Sequence, residues 1–159
     1  MKLNIKKIQE SDAALLKHLA ELCPPLDVHT PYTYWVVAKM FDEYSFLLLN
    51  DDSPIGYIMC VRNTDCLLVW QIGILEEYRK KGLSRLLIER ALHAIDGKTI
   101  KQAYVSIAKN NENSFFAFEK CCARNAYAME RVSEINLIDF KDPSFRESET
   151  LYRIERAAS

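Results

Sequence analysis

Val69-Trp70-Gln71-Ile72-Gly73-Ile74 is an apolar strand that runs through the polar turn Glu76-Glu77-Tyr78-Arg79-Lys80-Lys81 into Gly82-Leu83-Ser84 and an amphipathic helix. A strand–loop–helix junction of this kind aims several free backbone N–H groups, and the positive end of a helix dipole, at one point. That is an anion site, and pyrophosphate is its common occupant. Gly82 lets the backbone approach a phosphate with no Cβ in the way, and Ser84 keeps the next close position small. Arg79, Lys80 and Lys81 add positive charge where the loop turns. Two better-known phosphate loops are excluded. The chain has no Gly-x-x-x-x-Gly-Lys-Ser/Thr run, and a dinucleotide fingerprint needs three glycines where this turn has Gly82 alone. Taken by itself, Arg-x-x-Gly-x-Ser reads equally well as a basic surface turn before an ordinary helix.

The 159 residues suffice for one domain, 1–159, with a single core. With 21 basic against 22 acidic residues the net charge is −1, which argues against nucleic-acid binding through bulk charge. No apolar run reaches membrane-spanning length, and Met1-Lys2-Leu3-Asn4-Ile5-Lys6 does not read as a signal peptide. Five cysteines, an odd set, do not form a disulfide framework and fit reduced thiols in a cytoplasmic protein. The adjacent Cys121 and Cys122 lack the spacing of a metal site, so no metal is expected.

Along the chain, 2–9 alternates as a strand, and Ser11-Asp12 caps a helix with Leu15, Leu16, Leu19 and Leu22 on its apolar face. Pro24, Pro25 and Pro31 make 23–31 a loop, and a second helix follows to about 43. Strands are expected at 44–49 and 55–61 about the turn 50–54, then at 65–74 before the phosphate loop. A helix over 83–95, a strand over 101–108, a helix over 112–124 and strands at 132–138 and 149–155 complete the order β-α-α-β-β-β-α-β-α-β-β. This is an α/β (α+β) architecture, a mixed sheet flanked by helices.

That order, with a phosphate loop after the fourth strand, resembles the GNAT family of N-acetyltransferases. Arg79-Lys80-Lys81-Gly82-Leu83-Ser84 is similar to its Arg/Gln-x-x-Gly-x-Gly/Ala loop, and Asn111-Glu112-Asn113-Ser114-Phe115 to its second signature on the next helix. A closer resemblance, from about 26 to 154, is to the diaminobutyrate acetyltransferases of ectoine biosynthesis. It is carried by Pro25-Leu26-Asp27, Tyr32 and Tyr34, Leu68-Val69-Trp70-Gln71, and Glu147-Ser148-Glu149-Thr150-Leu151-Tyr152. Glu76 stands where a proline is usual, Ser84 where Gly or Ala is, and Cys121-Cys122 looks foreign to that group; these departures bear on the acceptor amine more than on the reaction.

The resemblance implies acetyl-CoA as cofactor, a homodimer, and splayed fourth and fifth strands that receive the pantetheine arm. It assigns the cofactor to Ile72, Gly73, Ile74, Arg79, Lys80, Lys81, Gly82, Leu83, Ser84, Asn111, Ser114 and Phe118. A backbone N–H near Ile72–Ile74 would polarise the thioester carbonyl. Gly73 suits either a bulge that opens the splay or close packing in a buried strand. The substrate side falls to Asp27, Tyr32, Tyr34, Trp70, Glu147 and Glu149, with Asp27, Glu149 and Trp70 nearest the chemistry. The resemblance implies as acceptor a primary amine of a small diamino acid, L-2,4-diaminobutyrate at its side-chain nitrogen, with a free pKa of about 10.4; a carboxylate, or a water it holds, would take its proton. Each acid also reads as an ordinary solvated one, Tyr32, Tyr34 and Trp35 as core, and Asn111 as a plain helix cap. Where many members carry a tyrosine acid this chain has Phe118, which can pack against the cofactor but donates no proton. His29 shares the Asp27 loop and is the histidine to watch. Two rivals stand beside this reading: an acetyltransferase for another amine, and a non-catalytic acetyl-CoA-binding module.

Overall fold

The computed structural model describes residues 1–136 and 148–159. It falls into two compact units, Met1–Arg62 with Val69–Ala94, and Asn63–Leu68 with Ile95–Ser159. Among the described residues are seven strands and four α-helices, in the order expected.

The first unit carries β1 (Leu3–Lys7), α1 (Ala13–Glu21), α2 (Pro31–Met40), β2 (Phe46–Asn50), β3 (Ser53–Asn63), most of β4 (Cys66–Ile74) and α3 (Leu83–Leu92). The strand order is β1-β2-β3-β4, with β1, β2 and β3 antiparallel neighbours and a register shift at Leu48/Leu49. Ile55 to Cys60 of β3 is buried throughout, the mark of a strand covered on both faces. On one face Leu47, Tyr57 and Met59 pack with Leu16, Leu19 and Ala20 of α1 and Tyr34, Val37 and Ala38 of α2. Phe46 alternates to the other face, where the Arg90 guanidinium of α3 lies 5.2 Å from its ring centre.

Helix α2 starts where Pro31 meets the Thr30 cap, whose hydroxyl accepts from Thr33 N. It ends at Met40, short of 43, and Asp42–Tyr44 form a 3-10 turn, so β2 begins at Phe46 instead of Tyr44. Asp12 does not cap α1 as expected. It sits in a 3-10 turn, and its carboxylate reaches back to accept from Gln9 N at 2.9 Å. Leu22 also departs from expectation: it lies beyond the last turn of α1, 47% exposed, and Ala20 completes the apolar face.

The second unit carries β5 (Gln102–Ala108), α4 (Glu112–Arg124), β6 (Tyr127–Ile135) and β7 (Glu149–Arg156), with strand order β5-β7-β6 and antiparallel pairing throughout. Strand β6 begins five residues before the expected 132 because its polar stretch Glu130-Arg131 alternates poorly. Pairing with β7 fixes it instead. Helix α4 buries Phe118, Cys121 and Cys122, and burial pushes the Cys122 thiol up to about 11. None of the five cysteines forms a disulfide. No helix among the described residues is long and apolar enough to cross a membrane.

Candidate active site

Gln71 is the one polar side chain within the apolar stretch Val69–Ile74 of β4, and it is buried, 7% exposed. A buried amide must find partners for an oxygen and two N–H bonds. Its Oε1 accepts from the Tyr57 hydroxyl at 2.6 Å and from the Tyr34 hydroxyl at 3.3 Å. Tyr34 in turn accepts from the backbone N–H of His29 at 3.2 Å, so its own proton goes to Gln71. With Oε1 filled by two donors, Nε2 faces the other way and donates to the backbone carbonyl of Asp27 at 2.7 Å. Burial raises both tyrosine pKa values above the ordinary phenol range, which keeps each hydroxyl a donor.

This ring of bonds holds the Asp27–His29 segment at both ends. The Asp27 side chain is exposed. The His29 ring lies 6.0 Å from Tyr34 and 5.4 Å from Trp70, which is 42% exposed. Asp27, His29, Tyr34 and Trp70 are therefore brought together. Tyr32 is not: it is 71% exposed and stacks on Trp35, 5.9 Å away at 26°, while the Trp35 indole donates to Glu10. Two residues apart on a helix, Tyr32 and Tyr34 point to different sides. Only Tyr34 is core.

Gly73 packs closely. A Cβ there would sit 2.7 Å from Tyr57 Cε1, 3.1 Å from Leu26 Cδ1 and 3.2 Å from Cys23 Sγ. Burial raises the Cys23 thiol pKa, with Arg79 opposing the shift.

The strand then enters the basic loop. Arg79 does not project freely from it: Nε donates to Ile74 O at 2.9 Å and Nη2 to Pro24 O at 3.0 Å. Its role in this structure is to clasp the loop to the proline segment. Lys80 takes a positive φ of 60°, and the Lys81 ammonium lies 5.3 Å from the Tyr78 ring centre. Gly82 precedes α3 at φ 72° with nothing within 4 Å of a Cβ position, and no side chain caps the helix. Leu83 is buried and Ser84 half-buried. An uncapped helix N-terminus behind a left-handed glycine fits a pyrophosphate group: the donors are free and the approach is clear.

In the second unit the Asn111 side chain accepts from Ser114 N at 3.2 Å, a helix cap. Asn111 N also donates to Ala108 O at 2.9 Å. Glu149, half-buried, opens β7 opposite Ala108 of β5, so it shares that end of the unit with the Asn111 signature. Phe118 is 1% exposed, inside the packing of α4. Glu147 lies outside the described residues. Gln71 and Tyr57 were not singled out from the sequence; a polar residue in the middle of an apolar strand is the signal that points to Gln71.

A profile described as the acetyltransferase (GNAT) family matches residues 13–123. The chain belongs to the GNAT acetyltransferase family. Among curated relatives, the L-2,4-diaminobutyric acid acetyltransferase of Chromohalobacter salexigens is 29% identical over 126 residues, 76% of this chain. The match spans 65% of that relative's own length. The Streptomyces coelicolor protein of the same name is 29% identical over 159 residues, 96% of this chain and 92% of its own. Among solved structures, the Paenibacillus lautus diaminobutyrate acetyltransferase, in complex with its substrate L-2,4-diaminobutyric acid and coenzyme A, superposes with a TM-score of 0.88. It is 17% identical, and the match covers 99% of this GNAT chain and 97% of that one. The fold is the GNAT fold.

Proposed function

We propose that this GNAT protein is an acetyl-CoA-dependent N-acetyltransferase that acetylates L-2,4-diaminobutyric acid on its side-chain amine, in a ternary complex. One observation carries the reading: Gln71 of β4 holds the Asp27 backbone while His29 of the same segment lies against Trp70, and the basic turn that follows β4 runs into the open N-terminus of α3. The cluster suits a small cationic amine, and the helix end suits a pyrophosphate. The named relatives support the choice of amine.

When bound, acetyl-CoA supplies the acetyl group as a thioester. The backbone N–H groups of Gly82, Leu83 and Ser84 would hold its phosphates, with Lys80 and Lys81 adding charge. Ile72, Gly73 and Ile74 would line its arm; Asn111 and Ser114 are assigned to the cofactor by resemblance. Asp27 attracts the substrate ammonium and takes the proton it sheds, directly or through water, and Trp70 walls the amine in. Glu149 and Glu147 are assigned to the substrate by resemblance. Phe118, assigned to the cofactor by resemblance, is buried and brings no proton donor. We read the chain as one cytoplasmic acetyltransferase domain that works as a homodimer.

The direct test is release of free CoA from acetyl-CoA with L-2,4-diaminobutyrate, ornithine, lysine and spermidine offered separately. Turnover confined to diaminobutyrate is the expected result. Preference for another amine would discard the ectoine link and keep the reaction. Phe118, which brings no proton donor, favours a second reading as a non-catalytic acetyl-CoA-binding module; CoA binding with no amine acetylated would establish that one.

The cofactor end has its own test. Gly82→Val forces a branched side chain into a left-handed conformation that costs L-residues about 1–2 kcal/mol. Acetyl-CoA affinity, measured calorimetrically, should weaken about tenfold. An unchanged Kd would remove the start of α3 from the cofactor site.

A further inference from the structure

The relation between Gln71 and the proposed substrate loop goes beyond burial of a stray amide. Four hydrogen bonds form a directed circuit. The His29 backbone donates to Tyr34, Tyr34 and Tyr57 donate to Gln71 Oε1, and Gln71 Nε2 donates to the Asp27 carbonyl. The direction cannot reverse without leaving a donor facing a donor, because the backbone N–H of His29 and the carbonyl of Asp27 have fixed polarity. Both termini of the circuit lie in the three-residue segment 27–29. Its foundation is rigid: Tyr34 and Tyr57 are each 0% exposed and packed in the core between α1, α2 and β3. The segment itself is surface loop, with the Asp27 side chain exposed and Pro24 and Pro25 just before it. A surface loop ordinarily loses its side-chain geometry to backbone motion. Here the backbone on either side of Val28 is anchored to the core, while the exposed Asp27 side chain stays open to a ligand and the His29 ring lies against Tyr34 and Trp70.

We infer that Gln71 is a positioning residue for the acceptor amine: through the Asp27 carbonyl, and through Tyr34 to His29, it fixes the segment that carries the Asp27 carboxylate and sets the His29 ring against Trp70. The inference deepens the proposed acetyltransferase function and rests on that reading. Gln71 touches neither amine nor cofactor in this role. Its loss should therefore be felt in capture of the amine and not in capture of acetyl-CoA. Tyr34 belongs to the same circuit, so removing its hydroxyl should act in the same direction.

The test uses the full chain with Gln71→Leu and Tyr34→Phe, steady-state kinetics in both substrates, and hydrogen exchange at the His29 amide. Gln71→Leu strands two buried hydroxyls; if it does not fold, Tyr34→Phe, which removes a single hydroxyl, carries the test. The expected result is an amine KM raised about tenfold, the size set by one lost buried hydrogen bond, with the acetyl-CoA KM unchanged. The His29 amide should exchange faster in both variants. Because both variants cut one circuit, their combination should raise the amine KM by less than the product of the two single effects. An amine KM equal to that of the wild type, or an equal rise in both KM values, would overturn the inference and leave Gln71 as core packing. A wild-type protein that binds CoA and acetylates no amine would overturn the function beneath it, and this inference with it. The two failures are distinguished by the wild-type assay alone.

Discussion

Gly73→Ala is expected to lower the melting temperature by roughly 5 °C in scanning calorimetry. One added methyl group would lie 2.7 Å from Tyr57 Cε1 and within 3.2 Å of Leu26 and Cys23. Such overlap is cheap when the neighbour can swing away. Tyr57 cannot: its ring is 0% exposed and its hydroxyl is bonded to Gln71 at 2.6 Å. Overpacking of this kind costs about 1–3 kcal/mol, and in a chain of this size each kcal/mol moves the midpoint by about 2–4 °C. Relief would come by moving Tyr57, which loosens Gln71, or by moving the backbone of β4. Gly56, on the neighbouring strand, closes off the second route, since a Cβ on it would already approach Gly73 O within 2.8 Å. A wild-type midpoint in Gly73→Ala would show that β4 is free to adjust there, as a bulge would allow, and that the close-packing account is wrong.

The same residues show what a linear sequence discloses. Helix α4 was legible to the residue, Glu112 to Arg124, because its limits are local: Asn111 caps it and its apolar positions recur at helical spacing. The α3 junction was legible for a similar reason, since a glycine able to hold φ 72° before an amphipathic run is a property of consecutive residues. Strand β6 was half missed. Its residues take strand form through pairing with β7, and nothing in Glu130-Arg131 anticipates that. The Gln71 circuit was invisible. Gln71 lies 14 positions from Tyr57, 37 from Tyr34 and 44 from Asp27, and no periodicity connects them. Asp27 and Trp70 were picked out by resemblance alone, and the same resemblance grouped Tyr32 with Tyr34, which helical geometry separates. Arg79 was read as a phosphate ligand from its charge. Its hydrogen bonds go to Ile74 and Pro24, a choice set by where the loop folds back.

Asp27→Ala should abolish most amine acetylation while leaving the protein folded and able to bind acetyl-CoA. The structural case is that the two functions of this residue are carried by different atoms. Its carbonyl, which alanine keeps, accepts from Gln71 and anchors the loop. Its carboxylate is exposed, so removing it uncovers no core and strands no buried partner. On the proposed mechanism, what is lost is a negative charge where the amine binds and a base that takes up its proton. A positioned general base contributes about 10²–10⁴-fold to rate, and kcat/KM for the amine should fall within that range. Asp27→Asn separates the two contributions. It keeps the shape and a hydrogen-bonding oxygen, so a loss as deep as that of alanine would assign the effect to charge and proton uptake, and a mild loss would assign it to orientation of the amine. Raising the pH supplies more neutral amine, whose free pKa is near ~10.4, and should narrow the gap between Asp27→Asn and wild type if the carboxylate acts as a base. Turnover by Asp27→Ala at the wild-type rate would take Asp27 out of the chemistry and turn attention to Glu149, which opens β7 beside the Asn111 signature.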